Sequence, residues 1–340
     1  MMTGKIRDRI NFISRLNVLR LINAGKVFAS YHFSKITKQP QHWGNPLSIA
    51  IEPTTSCNLR CPECPSGLRA FTRPTGMLEF NLFKNFIDQV YSHTTYLTLY
   101  FQGESFLNKS FFDFVEYASS KNIYTATSTN AHFINEENAE KIIKSKLDRL
   151  IISIDGTTQE VYEQYRVGGN LEKVISGTKK LIDAKKKLNS KTPYTIFQFL
   201  VVKPNEHQVE DVKKLAKQLG VDEVKFKTAQ VYDPKPKHHL IPENKKYSRY
   251  KFNGEDAIIK NNLDNSCWRL WSSCVMTWDG KIVPCCFDKD AKKQMGDLKE
   301  INFNSIWNGN EYHNFRKAIL KSRKEIDICA NCSEGTTVWA

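Results

Sequence analysis

The stretch CNLRCPECPSG, residues 57–67, places cysteines at 57, 61 and 64, with no further cysteine before Cys267. A structural zinc site normally closes on four ligands, so three thiols on one short loop leave a place open. The run just before the loop, LSIAIEP at 47–53, is short, apolar and bounded by proline, and it reads as a β-strand. Strand, then cysteine loop, is the first beat of a longer rhythm.

That rhythm continues along the chain. Strands are expected at 96–102, 123–129, 148–155, 194–202 and 223–229. Helical spacing fills the gaps at 80–91, 109–120, near 135–146, at 158–165, 170–189 and 205–220, the last stopped by Gly220. Six β–α repeats with nearly continuous apolar strands predict an α/β fold with a parallel sheet. Six falls short of the eight of a closed barrel, so the expected core is a partial (β/α)6 barrel over residues 47–229. Residues 230–266, rich in Lys, Pro and Asn, read as a linker to a C-terminal unit at 267–340. Residues 1–46 form a basic amphipathic N-terminal segment.

Cys57 then sits at the carboxyl end of the first strand, where parallel α/β folds place their chemistry. Three thiolates can hold three irons of a 4Fe–4S cube and leave the fourth iron free for a ligand that is not protein. A zinc knuckle or a set of redox thiols remains the plainer reading of the same spacing.

CxxxCxxC after the first strand of a β/α repeat resembles the signature of the radical S-adenosylmethionine (SAM) superfamily. The resemblance implies that the open iron is chelated by SAM. Reductive cleavage then yields a 5′-deoxyadenosyl radical that abstracts hydrogen from a substrate, and an external one-electron reductant is required. It also implies cofactor contacts residue by residue. The usual Gly-Gly-Glu after the second strand is here Gln102-Gly103-Glu104, with the first glycine lost, which leaves Gly103 and Glu104 as the expected contacts. Ser128 opens STN, which resembles a Ser/Thr-Asn-Gly turn with Ala131 in place of the glycine. Ser153 and Asp155 end the fourth strand and face the ribose or carboxylate on this reading. Arg166 is a cation suited to the SAM carboxylate. Each of these residues also has an ordinary reading as a cap or surface group. Glu63 stands between Cys61 and Cys64 where the family favours an apolar residue.

The remaining cysteines lie at 267, 274, 285, 286, 329 and 332. VMTWDGKIV at 275–283 alternates around Asp279-Gly280 and reads as a hairpin. With CANC at 329–332, the segment resembles the twitch unit, the short form of the SPASM extension. The resemblance implies an auxiliary 4Fe–4S cluster on Cys267, Cys285, Cys329 and Cys332. Cys274 and Cys286 are spare, Cys274 as a substitute for Cys267 and Cys286 as a competitor of its neighbour. Four cysteines with a CxxC also suit tetrahedral zinc.

With 40% hydrophobic and 25% charged residues, no apolar run long enough to span a bilayer and no signal-peptide pattern, the chain reads as a globular, cytoplasmic protein. Residues 1–40 carry eight Lys or Arg and one acid, a surplus that is half of the net +14. With its apolar residues at helical spacing, this segment reads either as a peripheral membrane contact or as an outer helix with its charges in water. No stacking motif points to nucleic acid. The expected function is radical SAM oxidation or modification of a substrate, with the auxiliary cluster assisting. The substrate class stays open among small molecules, sugar or lipid-linked compounds and peptides. The competing class is a non-catalytic iron–sulfur electron carrier or a zinc-binding scaffold.

Overall fold

The computed structural model describes residues 3–260, 264–330 and 332. The start of the N-terminal segment and the end of the C-terminal one, 333–340, lie outside the described residues.

Six parallel strands follow the expected order: β1 (Ser48–Ile51), β2 (Tyr96–Thr98), β3 (Tyr124–Thr129), β4 (Arg149–Ser153), β5 (Tyr194–Val201) and β6 (Glu223–Thr228). Each is hydrogen-bonded to the next. The intervening helices bury one apolar face each against the sheet. Phe83, Phe86, Phe111 and Phe114 are fully buried between two of these helices and β1–β3. Asn135 and Asn170 accept backbone N–H bonds at helix starts, and Gly220 takes the left-handed conformation that ends the helix Val209–Leu219.

Two strands, β7 (Tyr250–Asn253) and β8 (Asp256–Ile259), form a separate antiparallel pair inside the expected linker. Leu240, Ile241 and Tyr250 from that region are buried against Leu59, Cys61 and Tyr165. This part of the linker is therefore a wall of the cysteine site. Its few apolar residues are scattered, so no periodicity announces them.

The C-terminal hairpin does not stand apart from the core. Its strands, β9 (Ser273–Met276) and β10 (Lys281–Val283), turn at Gly280, which has φ +92. With β11 (Gly296–Asp297), they extend the main sheet to nine strands in the order β11-β10-β9-β1-β2-β3-β4-β5-β6. β9 runs parallel to β1, in the register Ser48 to Ser273 and Ile51 to Met276. The pairing caps the β1 edge, which would otherwise expose unpaired backbone groups.

The N-terminal segment forms two helices, α1 (Gly4–Ile13) and α2 (Val18–Thr37), because the Asn17 side chain caps α2 by accepting from Arg20 N. α1 lies across the amino ends of the strands. Asp8 binds Tyr124 and Arg149, while Asn11 and Arg15 reach Asp148 at 2.7 and 2.8 Å. The indoles of Trp271 and Trp307 donate to Gln41 O and Gly44 O, fastening the chain after α2 to the C-terminal segment.

Candidate iron–sulfur and cofactor site

The loop after β1 carries Cys57, Cys61 and Cys64 at the carboxyl end of the sheet. Cys57 Sγ accepts from Leu59 N at 3.4 Å and lies 4.0 Å from Asn130 Nδ2. Cys61 is 4% exposed, with Arg166 Nη1 at 3.7 Å from its sulfur. Cys64 leads directly into the short helix Pro65–Leu68. Burial pushes the Cys57 thiol up to about 11, and Glu104 with the two neighbouring thiols adds to the rise. Three crowded, desolvated sulfurs surrounded by N–H donors and one guanidinium suit thiolates bound to a cationic cluster, because metal binding displaces their protons.

Three loops are tied together around this group. Gly103 has φ +73, and its N–H donates to Ser66 Oγ at 2.9 Å. A Cβ there would come within 2.3 Å of Thr54 O and 2.8 Å of Ser56 O, so only glycine lets the second loop lie against the cysteine loop. Gln102, where the family has glycine, is 8% exposed. The fully buried Glu104 carboxylate accepts from Thr129 Oγ1 at 2.7 Å and from Asn130 N at 2.8 Å. Asn130 Nδ2 in turn donates to Asn58 Oδ1 at 2.8 Å. Ala131 adopts φ 64, so alanine sits in a conformation that favours glycine.

The other expected cofactor residues divide into two kinds. Ser128, half-buried, and Ser153, 7% exposed, lie at the ends of β3 and β4. Asp155 and Arg166 face each other instead of open space. Asp155 Oδ2 holds Arg166 Nε, and its Oδ1 accepts from Leu200 N at 2.6 Å. Arg166 is thereby aimed at the Cys61 sulfur.

In the C-terminal segment, Cys267, Cys285, Cys329 and Cys332 line one cavity, closed by Leu270, Phe315 and Ile319. Arg323 Nη2 lies 3.3 Å from the Cys332 sulfur. The two spare cysteines are not on this wall. Cys274 is 1% exposed, on β9 within the apolar core. The Cys286 sulfur instead lies 4.0 Å from Arg269 Nη1. Among the described residues, no three His, Cys, Asp or Glu side chains converge as ligands of a single metal ion.

Lys289 is a feature that sequence reading missed. It comes from the loop after Cys286 and shares a cavity wall with Pro65, the residue after Cys64. Thr72 binds Asp290, and Arg73 Nε donates to Lys289 O, holding this loop over the first cysteine group. Next to it opens a cavity of about 510 Å³, whose wall includes Pro65, Thr72, Tyr232, Phe287 and Lys289. That volume is within the range of small-ligand sites. Nothing in the local sequence of Lys289 signals this placement, which depends on β9 pairing with β1.

Comparison with known proteins agrees with the fold. The family model of the radical SAM superfamily matches residues 51–219, and that of the SPASM iron–sulfur cluster-binding domain matches 267–333. The AdoMet-dependent heme synthase of Methanosarcina barkeri is 29% identical over 332 residues, covering 84% of this chain and 91% of that protein. The cysteine-type anaerobic sulfatase-maturating enzyme of Clostridium novyi is 26% identical over 331 residues, covering 84% and 85%. The structure of native anSMEcpe with bound AdoMet is similar with a TM-score of 0.62 at 19% identity, covering 86% of this chain and 90% of that one.

Proposed function

The chain belongs to the radical SAM superfamily and carries a SPASM iron–sulfur domain; from this premise we propose that it oxidises or otherwise modifies its substrate, with the C-terminal cluster receiving or guiding an electron. It is an enzyme that uses a 4Fe–4S cluster and SAM, with auxiliary iron–sulfur binding in the C-terminal domain. When bound, these groups supply one-electron cleavage of SAM and a second redox centre.

The chain's own residues take the following parts in this proposal. Cys57, Cys61 and Cys64 hold the cluster that leaves one iron for SAM. Arg166, set by Asp155, donates an N–H to the Cys61 sulfur. The Gly103 backbone, Ser128 and Ser153 line the SAM side at the strand ends. The Glu104 side chain works one step back, tying the loops after β2 and β3. Cys267, Cys285, Cys329 and Cys332 hold a closed auxiliary cluster. Substrate enters through the cavity beside Lys289.

The observation that carries the redox role is one cavity wall shared by Pro65, which follows Cys64 of one group, and by Phe287 and Lys289, which follow Cys285 of the other. The loop that follows Cys285 therefore borders the segment that follows Cys64, and a substrate in this cavity would lie beside both. Anaerobic reconstitution followed by SAM and dithionite should yield 5′-deoxyadenosine and about eight irons per chain. Zinc with little iron, or no 5′-deoxyadenosine from iron-loaded protein, would contradict the proposal.

A further inference from the structure

The N-terminal helices are turned opposite to ordinary surface helices. A surface helix normally buries its apolar stripe and exposes its polar one. α2 instead buries Arg20, Asn23, Ser30 and Ser34, with Val27 the one aliphatic residue among them. The Arg20 guanidinium donates to the carbonyls of Arg15, Asn122, Tyr91 and Lys121. Asn23 exchanges two bonds with the Asn45 backbone, and Ser34 Oγ donates to Gln41 O. In α1 the buried residue is Asp8, bound to Tyr124 and Arg149.

Polar contacts thus fasten the helices to the barrel, and the apolar side chains are left outside. Leu19 is 65% exposed and Ile36 80%, and Ile10, Ile13, Ile22 and Phe28 are all more than half exposed. Exposed apolar surface of this extent marks an interaction site. Arg7, Arg9, Lys26 and Lys38 are exposed around it. Among the described residues, none of these four forms an ion pair, and the single acid of α1 and α2 is the buried Asp8.

We propose that this face docks on an anionic lipid bilayer, with α1 and α2 lying in the interface. Apolar side chains beside unpaired cations, with no exposed acid on either helix, complement anionic lipid. A two-fold dimer through the same face would set these cations against their own copies.

The placement also fixes an orientation. α1 crosses the amino ends of the strands, at Tyr124, Asp148 and Glu223. The cysteine loop leaves the carboxyl end of β1, whose four residues rise about 13 Å between the two ends. The docked enzyme turns the 57–64 loop away from the lipid, whereas the C-terminal half of α2 lies beside Cys267, with the Tyr31 hydroxyl 3.3 Å from Ser266 Oγ. Membrane contact along α1 therefore does not carry a lipid-linked group to the 57–64 loop.

Flotation of the full chain with phosphatidylcholine vesicles, with and without phosphatidylglycerol, tests the docking. The chain should float with the anionic vesicles at low salt and be released at high salt. Leu19→Glu with Ile36→Glu should weaken partition by roughly tenfold or more. Lys26→Glu should weaken it by at least about fivefold. The side chains replaced are exposed, and circular dichroism should show an unchanged fold. Hydrogen exchange with anionic vesicles should slow over residues 18–36 and stay unchanged over 57–64. The proposal fails if the chain does not float with anionic vesicles at low salt. It also fails if the Leu19→Glu, Ile36→Glu pair instead dissolves a dimer, or if protection appears at 57–64.

Discussion

Arg166 Nη1 stands 3.7 Å from the Cys61 sulfur while Nε of the same guanidinium grips Asp155. A carboxylate buried beneath the cysteine loop thus sets the direction of a donor to one of the three sulfurs. Removing Arg166 would leave Asp155 buried without its cation, a change that typically costs about 3–5 kcal/mol. Arg166→Ala should lower stability by that order, measured by anaerobic denaturation. Arg166→Lys keeps a cation for Asp155 but lacks the planar fork needed to serve two partners. It should retain most of the stability and lower iron occupancy at the first cluster, read by iron content and by electron paramagnetic resonance of the reduced protein. Full iron retention with an unchanged spectrum in Arg166→Lys would rule out the contact to sulfur.

Gly103 meets the cysteine loop through its backbone. Alanine would need both a positive φ and room beside Thr54 O, where a Cβ would come within 2.3 Å. Gly103→Ala should destabilise the fold by at least ~2 kcal/mol. It should also reduce SAM binding in reconstituted protein, measured by equilibrium dialysis. Native affinity in this variant would show that the second loop does not need its close approach.

The adjacent cysteines 285 and 286 should differ sharply. Only Cys285 lines the cavity shared with Cys267, Cys329 and Cys332. Cys285→Ala should drop iron from about eight to about four per chain while 5′-deoxyadenosine formation persists. Cys286→Ala should keep all the iron. Equal iron loss from both variants would mean that Cys286 shares in ligation.

His42 makes stability depend on pH. Its ring packs edge-on against Trp307 at 4.9 Å, and burial, helped by the nearby charge of Arg316, pushes its pKa down to about 3. The folded chain therefore keeps His42 neutral at pH values where the unfolded chain protonates it near 6.5. Stability from this site is intact above pH 6.5 and falls by about 1.4 kcal/mol per unit as pH drops toward 3. Denaturation at pH 6.5 and 5.5 should show a loss of about 1 kcal/mol from this site in the native chain, and His42→Gln should show a loss smaller by that amount. Parallel acid limbs would remove His42 as the cause.

The grouping of the three thiols at 57, 61 and 64 was legible because they are close in sequence, and a short loop after a strand leaves them little choice of place. The βα rhythm was legible because each strand and helix carries its own apolar period. Cys329 and Cys332 also travel together. Cys274 was ambiguous in sequence, since a cysteine near others looks like a ligand whichever way it points. Its position on β9, one face in the core, removes it from the cavity.

The sequence by itself determined the order of strands and helices, the two cysteine groups and the glycine at 103, because these depend on local period, spacing and backbone freedom. Only the tertiary structure decided that β9 extends the sheet beside β1 and brings the loop at Lys289 against the segment that follows Cys64. It also decided that Arg166 is aimed by Asp155 at Cys61, and that α1 and α2 bury their polar side. Helical periodicity locates an apolar face, but it cannot say which face finds partners. Here the carbonyls around Arg20 and the polar groups around Asp8 offered stronger contacts than the barrel could offer to the aliphatic side, and those partners come from segments far apart in the chain.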